Sequence, residues 1–353
     1  MMASKPPQLF SGSTALSDFG DWVRKDSFSG VEVLVDEHTH HWCFPRFLQL
    51  TGLTVEPLVV PAGEGSKSVP VLAGLWQTLL DRQADRQTLL INLGGGMITD
   101  LGGFVASTYK RGIPFAHVPT SLLGQVDAAI GHKTGIDVGE VKNSVGTFMP
   151  PHALVLDAGF LETLPSEELR SGMAEVLKHG LIRDATFWKE LAGTDGIGIP
   201  DAAIVQRAAR IKMEIVEIDP REKGLRKILN FGHSLGHAVE SEAMTAGAPV
   251  RHGDAVAAGM LMESWLSREL GLLADKEWVE IRDVLSRMYP PLPLQHVDQD
   301  RMLTFLRNDK KNKGRSLRFV LLERIGKAVF DHIVEESMAI RAIQAYPSWF
   351  VPS

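Results

Sequence analysis

Short, nearly continuous apolar runs alternate with amphipathic stretches through the first half of the chain. VEVLVD (31–36), VEPLVV (55–60), TLLINL (88–93), PFAHVP (114–119) and HALVLD (152–157) have the pattern of buried strands. Between them, SVPVLAGLWQTLLDRQ and DLGGFVASTYKR repeat their apolar residues at helical spacing. This alternation predicts an α/β domain with a Rossmann-like, mostly parallel sheet. From about Ser166 the period changes. SEELRSGMAEVLKHGLI, DAAIVQRAARIKMEIVEI, the segment around NFGHSLGHAVE, and DAVAAGMLMESWLSREL all read as helices. One late exception, SLRFVLLERIGKAVFD (316–331), predicts a hairpin turning at Arg324–Gly326. The break near Pro165 divides the chain into an α/β domain over 1–165 and a mainly helical domain over 166–353.

Composition excludes several classes. With 353 residues and 44% hydrophobic content, the chain is long enough for two buried cores. Lys plus Arg is 37 and Asp plus Glu 43, giving −6, which argues against nucleic-acid and membrane-surface partners. An anionic small molecule would have to be met by a local basic cluster. Cys43 is the single cysteine, which excludes an internal disulfide and suits a reducing cytoplasm. MMASKPPQLFSG lacks an apolar core of signal-peptide length, and no run of eighteen apolar residues occurs. A soluble, cytoplasmic protein is expected.

Candidate chemistry begins where TLLINL runs into GGGMITDLGG (94–103). Glycines there let a backbone approach a pyrophosphate at a helix N-terminus, although the spacing is not G-x-G-x-x-G and a ligand-free tight turn accounts for it equally well. In PAGEGSKS (61–68), Glu64 and Lys67 follow another strand at a position suited to a ribose, and an exposed turn is the simpler account. The segment 118–148 carries Asp127, Lys133, Lys142 and Asn143 among small residues, as a glycine-rich loop that holds phosphate would. In NFGHSLGHAVE, His233 and His237 lie four residues apart on one helical face. That spacing suits zinc, yet the glutamate of H-E-x-x-H is missing, so further ligands must come from elsewhere.

GGGMITDLGGFVASTYKRG, PTSLLGQVDAAIGHKTG, KNSVG, SGMAEVLKHG, LRKILNFGHSLGHAVE, RHGDAVAAGM and DKKNKG-x-LRFVLL follow one another in the order of a known set. By these motifs the chain resembles the 3-dehydroquinate synthase family, among the sugar phosphate cyclases, from about Asp36 to Leu322. The resemblance implies an N-terminal NAD-binding domain and a C-terminal helical domain holding a divalent metal, zinc or cobalt. It implies conversion of 3-deoxy-D-arabino-heptulosonate 7-phosphate to 3-dehydroquinate through transient oxidation, phosphate elimination, re-reduction and an aldol closure. It implies the shikimate pathway and a homodimer.

The two histidines then part company. The metal ligands would be Glu175, His233 and His252, a donor set suited to zinc, while His237 faces the substrate phosphate. By the same resemblance Lys133, Asn143, Lys178, His237 and one of Lys310 or Lys311 bind that phosphate, joined by Arg111 of a partner subunit. Lys212, Arg226 and Asn230 bind the substrate carboxylate, for which a planar guanidinium is suited, and Asp127 bonds a substrate hydroxyl. NAD contacts carry over to Asp36, Glu64, Lys67, Gly95, Gly96, Asp100, Thr120, Ser121, Lys133, Lys142, Phe160, Thr163, Leu164 and Glu168. Three residues depart from the family pattern. Ser121 stands for threonine with its hydroxyl intact. His132 replaces the second glycine of G-G-K-T, which is expected to open the loop slightly. Asp137 replaces asparagine, with no consequence visible in the sequence. The competing readings are a sister cyclase such as 2-epi-5-epi-valiolone synthase, a metal-dependent alcohol or glycerol-phosphate dehydrogenase, and a non-catalytic scaffold. Arg226 with Leu229 and Asn230 argues against the first, the dense Lys and Arg set against the second, and the intact ligand set against the third.

Overall fold

A computed structural model describes residues 6–139, 141–294, 297–308 and 317–350. Two compact units emerge. One runs to Leu169 and also takes Ile199–Met213; the other takes Arg170–Gly198 and the chain from Glu214 onward.

The first unit is built on a six-stranded sheet in the order β1-β8-β5-β4-β2-β3, from β1 (Gln8–Ser11), β2 (Val31–Asp36), β3 (Pro57–Val60), β4 (Leu89–Gly94), β5 (Phe115–Pro119) and β8 (Ala153–Leu156). Every pairing in it is parallel. Strand alternation sorts the side chains onto two faces. Val33, Val35, Ile91, Leu93 and Val118 join Phe19 and Phe47 in one core, while Leu34, Leu90 and Phe115 join Leu72, Leu79 and Leu101 in the other. The five expected strands are all present, and β1 is an addition. Its four residues bury only Phe10, too little pattern to mark a strand.

The expected glycine-rich loop within 118–148 is in part a hairpin. β6 (Lys133–Val138) and β7 (Val141–Phe148) pair antiparallel, with Thr134 opposite Thr147 and Ile136 opposite Val145. Its lysines and glycines hide the alternation that marks strands elsewhere.

The second unit is largely helical, with helices Ser166–Arg183, His233–Thr245, His252–Glu269 and Asp275–Met288 among its members. The expected late hairpin is β9 (Leu317–Arg324) with β10 (Lys327–Val334), reversing at Gly326 with φ 84°. No helix among the described residues is long and apolar enough to cross a membrane.

Candidate metal and nucleotide sites

Glycines bring three helices of the second unit into close contact. A Cβ at Gly259 would lie 1.9 Å from the Gly232 carbonyl oxygen, and one at Gly253 would lie 2.1 Å from the Ser171 carbonyl oxygen. Only glycine permits that approach, and it seats the start of His252–Glu269 against both Ser166–Arg183 and His233–Thr245. Gly232 itself caps the latter helix with φ 77°. The buried Glu263 carboxylate accepts from the Gly232 and Leu235 N–H groups at 2.7 and 3.1 Å, satisfying first-turn donors that have no helical partner.

Glu175, His233 and His252 converge at this seam, one ligand atom from each lying within 4.8 Å of the others. Glu175 is fully buried, and its Oε1 lies 3.5 Å from His233 Nε2 and 3.7 Å from His252 Nε2. The Lys178 ammonium contacts its other oxygen. Neither carboxylate oxygen has a hydrogen bond of good geometry; the Lys178 ammonium offsets the cost of burying the charge at one oxygen, and the other faces the two imidazoles. Burial alone would raise the Glu175 pKa, but Lys178 and His252 hold it well below the usual carboxylate range. Burial opposes a proton on His252, yet Glu175 and Glu240 overcome it and push the imidazole up to about 9. A buried carboxylate facing two imidazole nitrogens is a donor set that fits zinc or cobalt.

The remaining ring nitrogens are held from behind. His233 Nδ1 lies 3.1 Å from the Phe231 carbonyl oxygen and His252 Nδ1 lies 3.2 Å from Glu240 Oε2, the backing that fixes the tautomer of a metal-binding imidazole. His237 packs edge-on to His233 with ring centroids 5.1 Å apart. Glu240 was not singled out above, although 233, 237 and 240 share a helical face. Glu222 was also missed. It sits at φ 57° and accepts from Asn230 Nδ2 at 2.5 Å. Nothing in its sequence spacing marks it. Arg226 is buried, donating from Nη1 to the Pro220 carbonyl at 2.8 Å. Lys310 and Lys311 lie outside the described residues.

In the first unit, the expected nucleotide residues gather beyond the carboxyl ends of the parallel strands, where open α/β sheets bind ligands. Asp36 ends β2, Glu64 and Lys67 follow β3, Gly95 and Gly96 follow β4, Thr120 and Ser121 follow β5, and Phe160, Thr163 and Leu164 follow β8. Gly95 caps helix Gly96–Thr108 without a side-chain hydrogen bond, leaving first-turn N–H groups for an anion. The Asp36 carboxylate is engaged as a cap, accepting from Thr39 N–H at 2.8 Å. Ser121 Oγ likewise accepts from Gly124 N–H at 3.1 Å. Lys67 is buried, bonded to Asp100 at 3.0 Å and 3.6 Å from Glu64. Burial would lower its pKa, but these carboxylates outweigh burial and hold it above the usual range. Asp100 is pushed up by burial, which Lys67 offsets only in part. Phe160 is buried, and Glu168 is half-buried in the first turn of Ser166–Arg183.

Lys133, Lys142 and Asn143 are exposed on the hairpin, and Arg111 is held at φ 69° in the turn after Lys110. Lys212 pairs with Asp127. His132 takes φ 54° while its carbonyl accepts from Met149 N–H at 2.9 Å. The histidine thus adopts a glycine-like backbone, and the hairpin stays paired from Lys133 onward rather than opening. This costs the strain of a left-handed side-chain residue.

The 3-dehydroquinate synthase N-terminal model matches residues 57–171, and the C-terminal model of the same family matches 172–312. A 3-dehydroquinate synthase of Parabacteroides distasonis is 37% identical over 338 residues, covering 95% of this chain and 96% of that protein. One of Symbiobacterium thermophilum is 43% identical over 290 residues, covering 80% of each chain. Among solved structures, the 2-epi-5-epi-valiolone synthase ValA of Streptomyces hygroscopicus subsp. jinggangensis 5008, with NAD+ and Zn2+ bound, superposes with TM-score 0.86 at 27% identity. That match covers 99% of this chain and 98% of the other. With both halves matched by models of one family and a relative 37% identical over 95% of this chain, this chain belongs to the 3-dehydroquinate synthase family.

Proposed function

We propose that the chain converts 3-deoxy-D-arabino-heptulosonate 7-phosphate to 3-dehydroquinate and phosphate, in the cytoplasm, as the shikimate-pathway step leading toward aromatic amino acids, and as a homodimer. The reading is supported by the family membership and carried by one observation: Glu175, His233 and His252 converge at a buried carboxylate that lacks well-formed hydrogen bonds. The α/β domain over 1–165 would hold NAD, and the helical domain over 166–353 the metal, zinc or cobalt.

When bound, NAD supplies a reversible hydride acceptor, and the divalent cation acidifies substrate hydroxyls. The chain's own groups bind and orient. Glu175, His233 and His252 hold the cation, with Glu240 and the Phe231 carbonyl fixing the two rings. The family pattern assigns Arg226, Asn230 and Lys212 to the substrate carboxylate. The same pattern assigns His237, Lys178, Lys133, Asn143 and the partner's Arg111 to the substrate phosphate. Asp127 would orient a hydroxyl, and His237 would hold a proton at the phosphate. The unshared first-turn N–H groups after Gly95 suit the pyrophosphate of NAD.

The test is phosphate release from the heptulosonate phosphate with NAD far below stoichiometry. Many turnovers without net NADH are expected. NADH accumulating one-for-one with product would replace this reading with a dehydrogenase.

A further inference from the structure

The β6–β7 hairpin is irregular at one point. Between the pairs Ile136 opposite Val145 and Val138 opposite Val141, β6 supplies Asp137 alone whereas β7 supplies Lys142, Asn143 and Ser144. Such bulges re-aim side chains. Here they close a circuit through Lys67. Asp137 N–H donates to the Lys67 carbonyl at 2.7 Å, and Asp137 Oδ1 accepts from Asn143 N–H at 2.6 Å. Asn143 is held at φ 51°, and its Oδ1 accepts from Lys67 Nζ at 2.6 Å. One residue is thus gripped at both its backbone and its ammonium by the two sides of the bulge.

The circuit has a chemical consequence. An ammonium only donates, so it forces the Asn143 amide to present oxygen inward and leaves the Nδ2 group directed elsewhere. The ionised oxygens of a phosphate monoester accept only, and those of inorganic phosphate mostly accept. An Asn143 turned the other way would offer them an oxygen and repel them. Asp137 fixes the left-handed backbone from which this amide projects, and Lys67 is itself anchored by Asp100 at 3.0 Å, so the reference point of the circuit is fixed too. We infer that Asp137 is a positioning residue that locks Asn143 as a hydrogen-bond donor to a phosphoryl group, with Lys67 setting the direction of the amide. This rests on the reading of Asn143 as a phosphate contact, and it gives the Asp137 departure a role.

The probe is inorganic phosphate, titrated by calorimetry into the full chain loaded with zinc and NAD, with NAD affinity measured in parallel. Asp137→Ala should raise the phosphate dissociation constant about tenfold, the scale of one lost hydrogen bond to an anion. Asp137→Asn, whose amide oxygen still accepts from Asn143 N–H, should stay within about threefold of the parent, and NAD affinity should move less than about threefold in either variant. Asn143→Asp keeps the shape but removes the donor, and should weaken phosphate by at least as much as Asp137→Ala. Wild-type phosphate affinity in Asp137→Ala would overturn the inference. So would equal losses in the Asn and Ala variants, or a parallel loss of NAD affinity, which a general collapse of the hairpin produces. If Asn143→Ala leaves phosphate affinity intact, the phosphate-contact reading fails instead. If Asn143→Ala weakens it and Asp137→Ala does not, the positioning role alone fails.

Discussion

The helical seam of the second unit and the carboxyl edge of the parallel sheet hold charged side chains by different means, although Glu175 at the seam also keeps a Lys178 partner. At the seam, packed backbone brings Glu175, His233 and His252 together, and the carboxylate is left facing imidazole nitrogens at 3.5 and 3.7 Å. At the sheet edge, each ammonium has its own polar partners: Lys67 the Asp100 carboxylate and the Asn143 amide oxygen, and Lys212 the Asp127 carboxylate. A cation site can be made rigid by glycine contacts because its ligands must converge on one point. An anion-binding edge needs its lysines held apart and aimed, which a polar network accomplishes. The two regions should therefore break differently, the first by steric change in the backbone and the second by loss of single polar atoms.

The largest effect should come from Gly259→Ala. Its methyl would lie 1.9 Å from the Gly232 carbonyl oxygen, a backbone atom with little freedom to yield. Urea unfolding should show a loss of about 1–3 kcal/mol or more, accompanied by loss of bound metal. Wild-type stability and metal content would show that the helices do not need this approach.

Arg226→Ala should weaken binding of the heptulosonate phosphate by about 1.5–3 kcal/mol, the worth of a charge-assisted contact. An analogue without the carboxylate should bind variant and parent nearly alike. Equal losses for both ligands would reopen the sister-cyclase reading that the fold of ValA otherwise permits.

Acid sensitivity should trace in part to His117. Burial pushes its pKa from the ordinary 6.5 down to about 3, and Asn92 Nδ2 lies 3.2 Å from its Nδ1, a bond the neutral ring accepts. As pH falls through 6.5 the unfolded chain takes up a proton that the folded chain refuses until about 3. The stability is thus fully present above pH 6.5 and declines below it, by at most about 1.4 kcal/mol per pH unit. In His117→Asn the slope of stability against pH between 6 and 4 should be shallower by one proton's worth. An unchanged slope would contradict the neutral, buried histidine.

The smallest effect has the opposite sign. Gly74 lies within helix Val69–Asp81, and a Cβ there would meet nothing within 4 Å. Gly74→Ala should stabilise by about 0.5–1 kcal/mol. A loss would mean that this surface is covered in the protein's working state.

The sequence made the sheet legible because VEVLVD and TLLINL are largely buried and leave nearly continuous apolar runs. It left the β6–β7 hairpin unread, because Lys133, Gly135 and Lys142 interrupt the alternation that a strand normally displays. The metal ligands were legible only jointly. His233 and His237 have equivalent spacing, and what separates them is Glu175 and His252 arriving from two other helices. Asp137 stands out in the sequence only as a departure from the family pattern, with no consequence to read from it. Its partners, Lys67 and Asn143, are remote from or offset to it in sequence, and only the bulge brings their polar atoms within hydrogen-bond reach. Glu222 was hidden for a similar reason, since its role is visible only through its left-handed backbone and its contact with Asn230.

The central claim is that Glu175, His233 and His252 form a metal site built by helix packing. It is tested most directly by equilibrium zinc and cobalt titration of the purified chain against a competing chelator, beside Glu175→Gln, His233→Ala and His252→Ala. The account predicts one tightly held equivalent in the parent and a weakening of at least about tenfold in each variant, with folding retained by dichroism. Undiminished affinity in Glu175→Gln, or in both histidine variants, would contradict it.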